Sequence, residues 1–402
     1  MTDKESSESL RIPNFELADK AFLLTKSELS DRHPQIIKEL IEEITIEKLA
    51  PYYYHLTKEY VPNLIKFDEH LYKNLLKSND EEIFKLNESI KKVEDEDEGQ
   101  LETAEGYKKL GEYYTKIGDK TKAIQTLKKA IELTPSTGSK IDISLTIVRI
   151  GFFYDDKSFV SKQLDFTKSL IDKGGDWERR NRFKTYQGLY YLSIRDFQKS
   201  SNLLIDSLAT FTSTEITTYE QLAIYATISG AFSLSRNELK EKIIDSPELL
   251  SLLPATKNLT PITSLTNSLY TSDYSLYFKY LLETNDVNLI PSRFLSIHSN
   301  YFIREMRRKA YAQLLESYKT LSLNSMAQAF GVSIEFLDND LTKFIPNKKL
   351  NCVIDRVNGI IETNRPDNKN SQYQILIKQG DALLTKLQKY GAAVRLTGTT
   401  EK

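Results

Sequence analysis

At 402 residues with 40% hydrophobic side chains, the chain can build several domains or one long solenoid, and its composition excludes a disordered polypeptide. Lysine and arginine number 55 against 56 acidic residues, a net charge of −1, so no global field draws it to nucleic acid or to an anionic membrane. The first thirty residues hold no apolar run of signal-peptide length, no later stretch approaches a membrane span of about 18 apolar residues, and the single Cys352 cannot close an internal disulfide. The expectation is a soluble protein of the cytoplasm and nucleus with no membrane partner.

Residues 1–14 are polar and end at Pro13. Apolar periodicity then predicts amphipathic helices over 22–29, 35–49, 60–76 and 81–93, broken by Pro34, Pro51, Pro62 and by Ser78-Asn79-Asp80. The acidic run 94–98 reads as a solvated linker or helix end, which sets residues 1–100 apart as an N-terminal helical region.

Residues 101–300 read as helical repeats. Tyr107, Leu110-Gly111, Tyr114, Gly118-Asp119, Ala123, Leu127, Ala130 and Pro135 fill the slots of the tetratricopeptide pattern, whose period is about 34 residues. Tyr107, Leu110, Tyr114 and Ile117 form the apolar stripe of a first helix, and Gly111 lets a second helix approach. Gly118 ends the first helix in the left-handed conformation, Asp119 caps the second, and Pro135 stops it. Weaker copies follow at Ile150-Gly151 with Tyr154, and at Gln187-Gly188 with Tyr191 and the turn Arg195-Asp196. Helices are expected over 219–234, 237–244, 262–272 and 273–284, with breaks at Pro247, Pro254 and Pro291. Such hairpins cannot bury their own apolar faces and stack into an extended binding surface.

From 301 to 365 the pattern changes. Ile303, Met306, Ala310, Leu314 and Tyr318 share one helical face; Leu323, Met326, Ala327 and Phe330 form a short second helix ended by Gly331. Ser333 caps a third helix with stripe Ile334, Leu337, Leu341 and Ile345. Leu350, Cys352 and Ile354 alternate as a strand, and Asn358-Gly359 turns the chain into a second strand over 360–363. This order is a winged helix. Its third helix carries Glu335, Asp338 and Asp340 against Lys343 alone, which argues for a protein partner over phosphates. The basic cluster Arg304, Arg307, Arg308 and Lys309 reads as a solvated or salt-bridged helix face.

Helical repeats running into a terminal winged helix resemble the PCI family, named for the proteasome lid, the COP9 signalosome and a translation initiation factor. Within it, the strings Ile303-Arg304-Glu305-Met306-Arg307, Ala310-Tyr311-Ala312-Gln313-Leu314-Leu315-Glu316-Ser317-Tyr318 and Met326-Ala327-Gln328-Ala329-Phe330-Gly331-Val332 are similar to the non-ATPase lid subunits that correspond to COP9 signalosome subunit one. Glu362-Thr363-Asn364-Arg365-Pro366-Asp367 and Lys369-Asn370 continue the likeness, which covers most of the chain from about residue 40. The resemblance implies a non-catalytic scaffold in a hetero-oligomer, supporting ATP-dependent degradation of ubiquitinated proteins. The partners it implies are other PCI subunits, the deubiquitinating subunit pair and the ATPase ring. It also implies winged helices joined edge to edge, for which a strand edge at Asn351, Val353 and Asp355 is suited, because unpaired backbone groups are pairing templates.

The tail, residues 366–402, reads as one assembly helix. Tyr373, Leu376, Ile377, Leu383, Leu384, Leu387, Tyr390 and Val394 make an apolar stripe, with Gly380 a point of close approach. Folding back onto the winged helix is one use of that stripe; joining a bundle of helices from several subunits, as in the relatives, is the preferred one. The whole is therefore expected to be an all-α solenoid of tetratricopeptide-like hairpins, followed by a winged-helix (α+β) PCI module and a C-terminal helix.

Chemistry is not legible. His33, His55, His70 and His298 are too dispersed for a metal motif, and no phosphate-binding glycine loop occurs, so no catalytic, cofactor or metal residue is assigned. Gly174-Gly175 reads as a turn before a helix, Cys352 as a buried small hydrophobe, and Tyr52-Tyr53-Tyr54 as core filler. Trp177 with Arg179, Arg180 and Arg182 is either a partner anchor or a helix with one charged face. The alternatives kept open are a signalosome or initiation-factor PCI subunit and a nucleic-acid-binding winged helix.

Overall fold

The structure is a computed structural model that describes residues 11–62, 64–95, 100–364 and 369–398. The chain divides into two units, 1–307 and 308–402. The first begins with α1 (Phe15–Leu23), capped by Asn14, whose side chain accepts from the Glu16 amide. A 3₁₀ turn leads to α2 (His33–Glu47), with Pro34 in its first turn where no amide hydrogen is needed, and then α3 (Ala50–His55) and a wide turn over Leu56–Tyr60. Leu17, Ala21, Leu40, Ile44, Tyr52 and Tyr53 fuse these elements into one core. Tyr52 and Tyr53 are core filler, as expected, whereas Tyr54 is exposed.

Three boundaries differ from the sequence pattern. Helix α1 starts at Phe15, because Leu17 and Ala18 are buried with Ala21 and Phe22. Residues 61–62 and 64–68 form no helix. Beyond them α4 (Glu69–Asp95) runs unbroken through Ser78-Asn79-Asp80, where a break was expected. Asn79 is buried and its side-chain oxygen accepts from the Tyr113 hydroxyl at 3.4 Å, so a tertiary contact outweighs the weak local preference for a turn. Of the acidic run, residues 96–98 lie outside the described residues.

Four hairpins then share one turn chemistry. They pair α5 (Gln100–Ile117) with α6 (Lys120–Leu133), α7 (Thr137–Phe153) with α8 (Lys157–Gly174), α9 (Trp177–Ser193) with α10 (Phe197–Leu208), and α14 (Thr260–Thr271) with α15 (Tyr274–Thr284). Each turn places a left-handed residue before an aspartate: Gly118-Asp119, Asp155-Asp156, Arg195-Asp196 and Ser272-Asp273. In each, the aspartate amide donates to the carbonyl five residues back, and its carboxylate accepts from the amide three residues on. One motif thus closes the first helix and opens the second. Gly111, Gly151 and Gly188 sit where the two helices touch: an added Cβ would lie 2.6 to 2.7 Å from Leu127, Val160 or Leu204. Between the third and fourth hairpins come α11 (Tyr219–Ser233), α12 (Arg236–Leu239) and α13 (Pro247–Leu252).

Neighbouring hairpins are joined by charge as well as by apolar contact. Glu215, before α11, accepts from Arg182 Nε at 3.0 Å, from Arg182 Nη2 at 2.7 Å and from the Tyr186 hydroxyl at 2.9 Å. Asp142 of α7 accepts from Arg179 Nη2 at 2.7 Å and pairs with Arg182 Nη1 at 3.3 Å.

The unit boundary falls inside α16 (Ser299–Ser317). Met306 and Ala310 are buried as the stripe predicted, but the rest of the face is Phe302, Tyr311 and Leu315, with Tyr318 exposed. The tight 3.6-residue spacing admits either of two adjacent stripes, and packing selects the one carrying the larger ring at Tyr311. Then follow β1 (Thr320–Ser322), α17 (Leu323–Phe330), α18 (Ile334–Phe344), β2 (Cys352–Asp355), β3 (Ile360–Thr363) and α19 (Lys369–Gly398). Ser322 and Ser333 cap α17 and α18, and Gly331, at φ 65°, separates them. The sheet order is β1-β3-β2 with both pairings antiparallel. Leu337, Leu341, Phe344, Phe330, Tyr311 and Ile361 fill the core beneath. Strand β1 was not expected from sequence.

Candidate assembly surfaces

Strand β2 is one of the two edge strands of the sheet, β1 being the other, so one side of its backbone is unpaired among the described residues. The register says which groups those are. Asn364 donates its amide to the Asn351 carbonyl, and Asn351 pairs across from Asn364, so alternate residues 351, 353 and 355 bond inward to β3. The outward N–H and C=O groups therefore fall on Cys352 and Ile354, between Asn351, Val353 and Asp355, the residues singled out from sequence. The Val353 side chain is exposed. Asp355 closes the hairpin by accepting from the amides of Val357 and Asn358 and from the Asn358 side chain, which holds its carboxyl below the usual range. Gly359, at φ 64°, completes the expected turn. Cys352 is buried, which pushes its thiol up and makes it a poor nucleophile.

Helix α19 has the opposite character: from Gln372 to Arg395 every described side chain is exposed. Leu376, Ile377, Leu383, Leu384, Leu387, Tyr390 and Val394 are 57% to 72% exposed, so the structure does not fold the stripe back onto the winged helix. Tyr373, Leu376, Gly380, Leu383, Leu387, Tyr390 and Val394 recur at alternating intervals of three and four, the spacing of a helix that packs along a seam with other helices. An added Cβ at Gly380 meets no atom within 4 Å, so this chain itself does not require that glycine. Lys369, Lys378, Lys386, Lys389 and Arg395 against Asp381 alone make the helix basic.

The acidic third helix of the wing is less acidic outside than its composition suggests. Asp340 is buried and accepts from the Tyr311 hydroxyl at 3.4 Å, and Asp338 pairs with Arg356 at 2.9 Å. Among the described residues Glu335 alone of the three acids has no such bond, so the charge argument against phosphates is weaker than the sequence implied. Around Trp177, which is 67% exposed, Arg179 and Arg182 are engaged with Asp142, Asp176 and Glu215, and Arg180 donates to the Gly175 carbonyl. The arginines are thus structural. In the basic cluster, Arg304 pairs with Glu305 at 3.4 Å. Among the described residues no group of three His, Cys, Asp or Glu could hold a metal ion, and no helix is long and apolar enough to cross a membrane.

Stacked helical hairpins, a winged helix with an open strand edge and a wholly exposed apolar helix define a subunit of an assembly in the PCI class. Comparison with known proteins agrees. Residues 68–242 match the family described as 26S proteasome subunit RPN7, residues 282–365 match the PCI domain, and residues 372–394 match the RPN7/PSMD6 C-terminal helix. The chain is 57% identical over 407 residues to the 26S proteasome regulatory subunit RPN7 of Saccharomyces cerevisiae, covering 97% of this chain and 95% of that one. It is 44% identical to its Schizosaccharomyces pombe counterpart, covering 98% of each, and 39% identical to the 26S proteasome non-ATPase regulatory subunit 6 homolog of Arabidopsis thaliana, covering 97% and 99%. COP9 signalosome complex subunit 1 of Arabidopsis thaliana is more distant, 25% identical over 203 residues and covering half of this chain. The chain belongs to the RPN7/PSMD6 family of 26S proteasome regulatory subunits.

Proposed function

We propose that this chain is a non-catalytic scaffold of the proteasome regulatory-particle lid, supporting assembly and ATP-dependent degradation of ubiquitinated proteins. Family membership and one structural observation support the reading: a thirty-residue helix, Lys369–Gly398, whose apolar stripe the chain leaves uncovered. Other PCI subunits meet it there and along the outer edge of β2, the deubiquitinating pair joins through the same bundle, and the ATPase ring lies within reach of the assembled lid. The chain acts without enzymatic activity, nucleic acid or membrane, in cytoplasm and nucleus. Its likeness to COP9 signalosome subunit one extends to an equivalent position in that complex.

Replacing Leu383 and Leu387 by aspartate tests the bundle. Both are exposed, so the free chain keeps its stability to within about 1 kcal/mol for the pair of substitutions. Burial of each leucine is worth roughly 1.5–3 kcal/mol, so affinity for the lid falls at least 100-fold. Co-purification of the tagged variant with other lid subunits reads the result, and wild-type incorporation refutes the proposal.

A further inference from the structure

Within the first unit, α1, α3, the end of α7 and residues 293–297 enclose a cavity of about 190 Å³. Ala21, Phe22, Leu56, Phe153 and Ile297 give it an apolar wall. The Tyr52 and Tyr154 hydroxyls that also line it are spent on the carbonyls of Leu17 and Gly118. Arg293 breaks this pattern: it is 9% exposed, and its guanidinium lies between the rings of Phe15 and Phe294, 5.5 and 5.1 Å from their centroids. Nη1 donates to the Phe153 carbonyl at 3.2 Å, and Nε stands 3.6 Å from Asp19 Oδ1. Nη2 is buried and donates to no described group, while Nε is buried with the Asp19 ion pair as its one described contact. Buried donors of this kind are costly unless an acceptor meets them.

Charge narrows what that acceptor can be. Asp19 faces the guanidinium and Asp155 lines the cavity, so an anion meets two carboxylates and a cation meets Arg293. A dry apolar cavity of about 150 Å³ takes up benzene, so this one accommodates a ring with a small polar group. We propose that the cavity binds one uncharged group, an aromatic ring or branched aliphatic chain, bearing a carbonyl oxygen that accepts from Arg293. A small molecule and an anchoring side chain with its backbone carbonyl from a sister subunit share this chemistry. Arg293 also borders a second cavity of about 180 Å³ beside Asp19 and Asn288, so the variants below are chosen to separate the two.

The test uses the full chain with N-methylbenzamide, benzoate and benzylamine as monocyclic aromatic probes of similar size, titrated to saturation by ligand-observed NMR. The amide is expected to bind saturably at millimolar concentration, at least tenfold tighter than either charged probe. Ala21→Leu fills the cavity, leaves the Arg293 side chain in place and abolishes that binding, while circular dichroism and the melting midpoint report an intact fold. Arg293→Gln reduces the preference for the amide. No saturation by any probe, tighter binding of benzoate or benzylamine, or undiminished binding to folded Ala21→Leu overturns the proposal. The lid-assembled chain separates the sources: a site blocked on assembly holds a sister subunit's anchor, and one still open serves a small molecule. That last arm rests on the lid assignment; the free-chain titration does not, so the two can fail separately.

Discussion

Removal of the Glu215 carboxylate is the sharpest test of how the stacked hairpins hold together. Its side chain is 1% exposed and receives hydrogen bonds from Arg182 Nε and Nη2 and from the Tyr186 hydroxyl. Burial opposes the Arg182 charge, and Glu215, Tyr186 and Asp142 together more than offset it, holding the guanidinium above its ordinary range. In Glu215→Ala the guanidinium and the phenol both lose their buried acceptor. Breaking a buried pair from one side costs about 3–5 kcal/mol. Asp142, 3.3 Å from Arg182 Nη1, retains part of the attraction, which places this case near about 3 kcal/mol. The double substitution Arg182→Leu with Glu215→Leu removes both charges but still leaves the buried Tyr186 hydroxyl without its acceptor, so it recovers part of the loss and stays roughly 1–2 kcal/mol below wild type. Urea titration of the full chain, with hydrogen exchange on α9 to confirm that the affected segment is the one unfolding, completes the cycle. A cost below about 1 kcal/mol for Glu215→Ala, or a double variant no more stable than the single, would show that the ion pair does not couple α9 to the segment leading into α11.

Other expectations follow from the same geometry. Gly111→Ala places a methyl group 2.6 Å from Leu127 Cδ2, a fully buried side chain, and lowers stability by about 1–3 kcal/mol in thermal melts, whereas Gly380→Ala raises tail helicity by circular dichroism without loss; a neutral Gly111→Ala contradicts the close packing. Ile354→Pro removes an amide that faces outward, so the wing stays folded and pairing with an added strand weakens; Val353→Pro removes an amide bonded to β3 and lowers the melting midpoint, and equal effects of the two would refute the register. His298 is held below its ordinary pKa of 6.5 by burial, against the opposing bond to the Ser193 carbonyl. The unfolded chain therefore binds a proton there before the folded chain does, so stability falls as pH drops below about 6.5, and His298→Gln flattens that slope in melts between pH 7 and 5.

The hairpin chemistry was readable because it is local. Gly118-Asp119 announces a left-handed residue followed by a cap, Arg195-Asp196 reads as a turn, and Gly111, Gly151 and Gly188 mark close contacts; the other three turns, with aspartate, arginine and serine at the left-handed position, carry no glycine to signal that conformation. The wing was legible through Gly331, Ser333 and Asn358-Gly359 for the same reason. What escaped was set by distant partners. Thr320–Ser322 is too short to show alternation and is a strand only because β3 lies beside it. Ser78-Asn79-Asp80 stays helical because Tyr113 reaches Asn79. Alternation along β2 shows which side chains face inward but not which amides face a neighbour, which the pairing register alone decides. Asp340 looks like surface charge in sequence and is buried against Tyr311. Arg293 gave no local signal, since its companions Phe15, Asp19 and Phe153 come from far along the chain.

Amide hydrogen exchange along Lys369–Gly398, measured in the isolated chain and again in the lid-assembled complex, bears most directly on the account. Fast exchange when the chain is alone, replaced by protection of at least about a hundredfold centred on Leu383 and Leu387 in the complex, is the predicted result, corresponding to roughly 3 kcal/mol of added local stability. Equally fast exchange in both states would mean that no sister subunit covers the stripe.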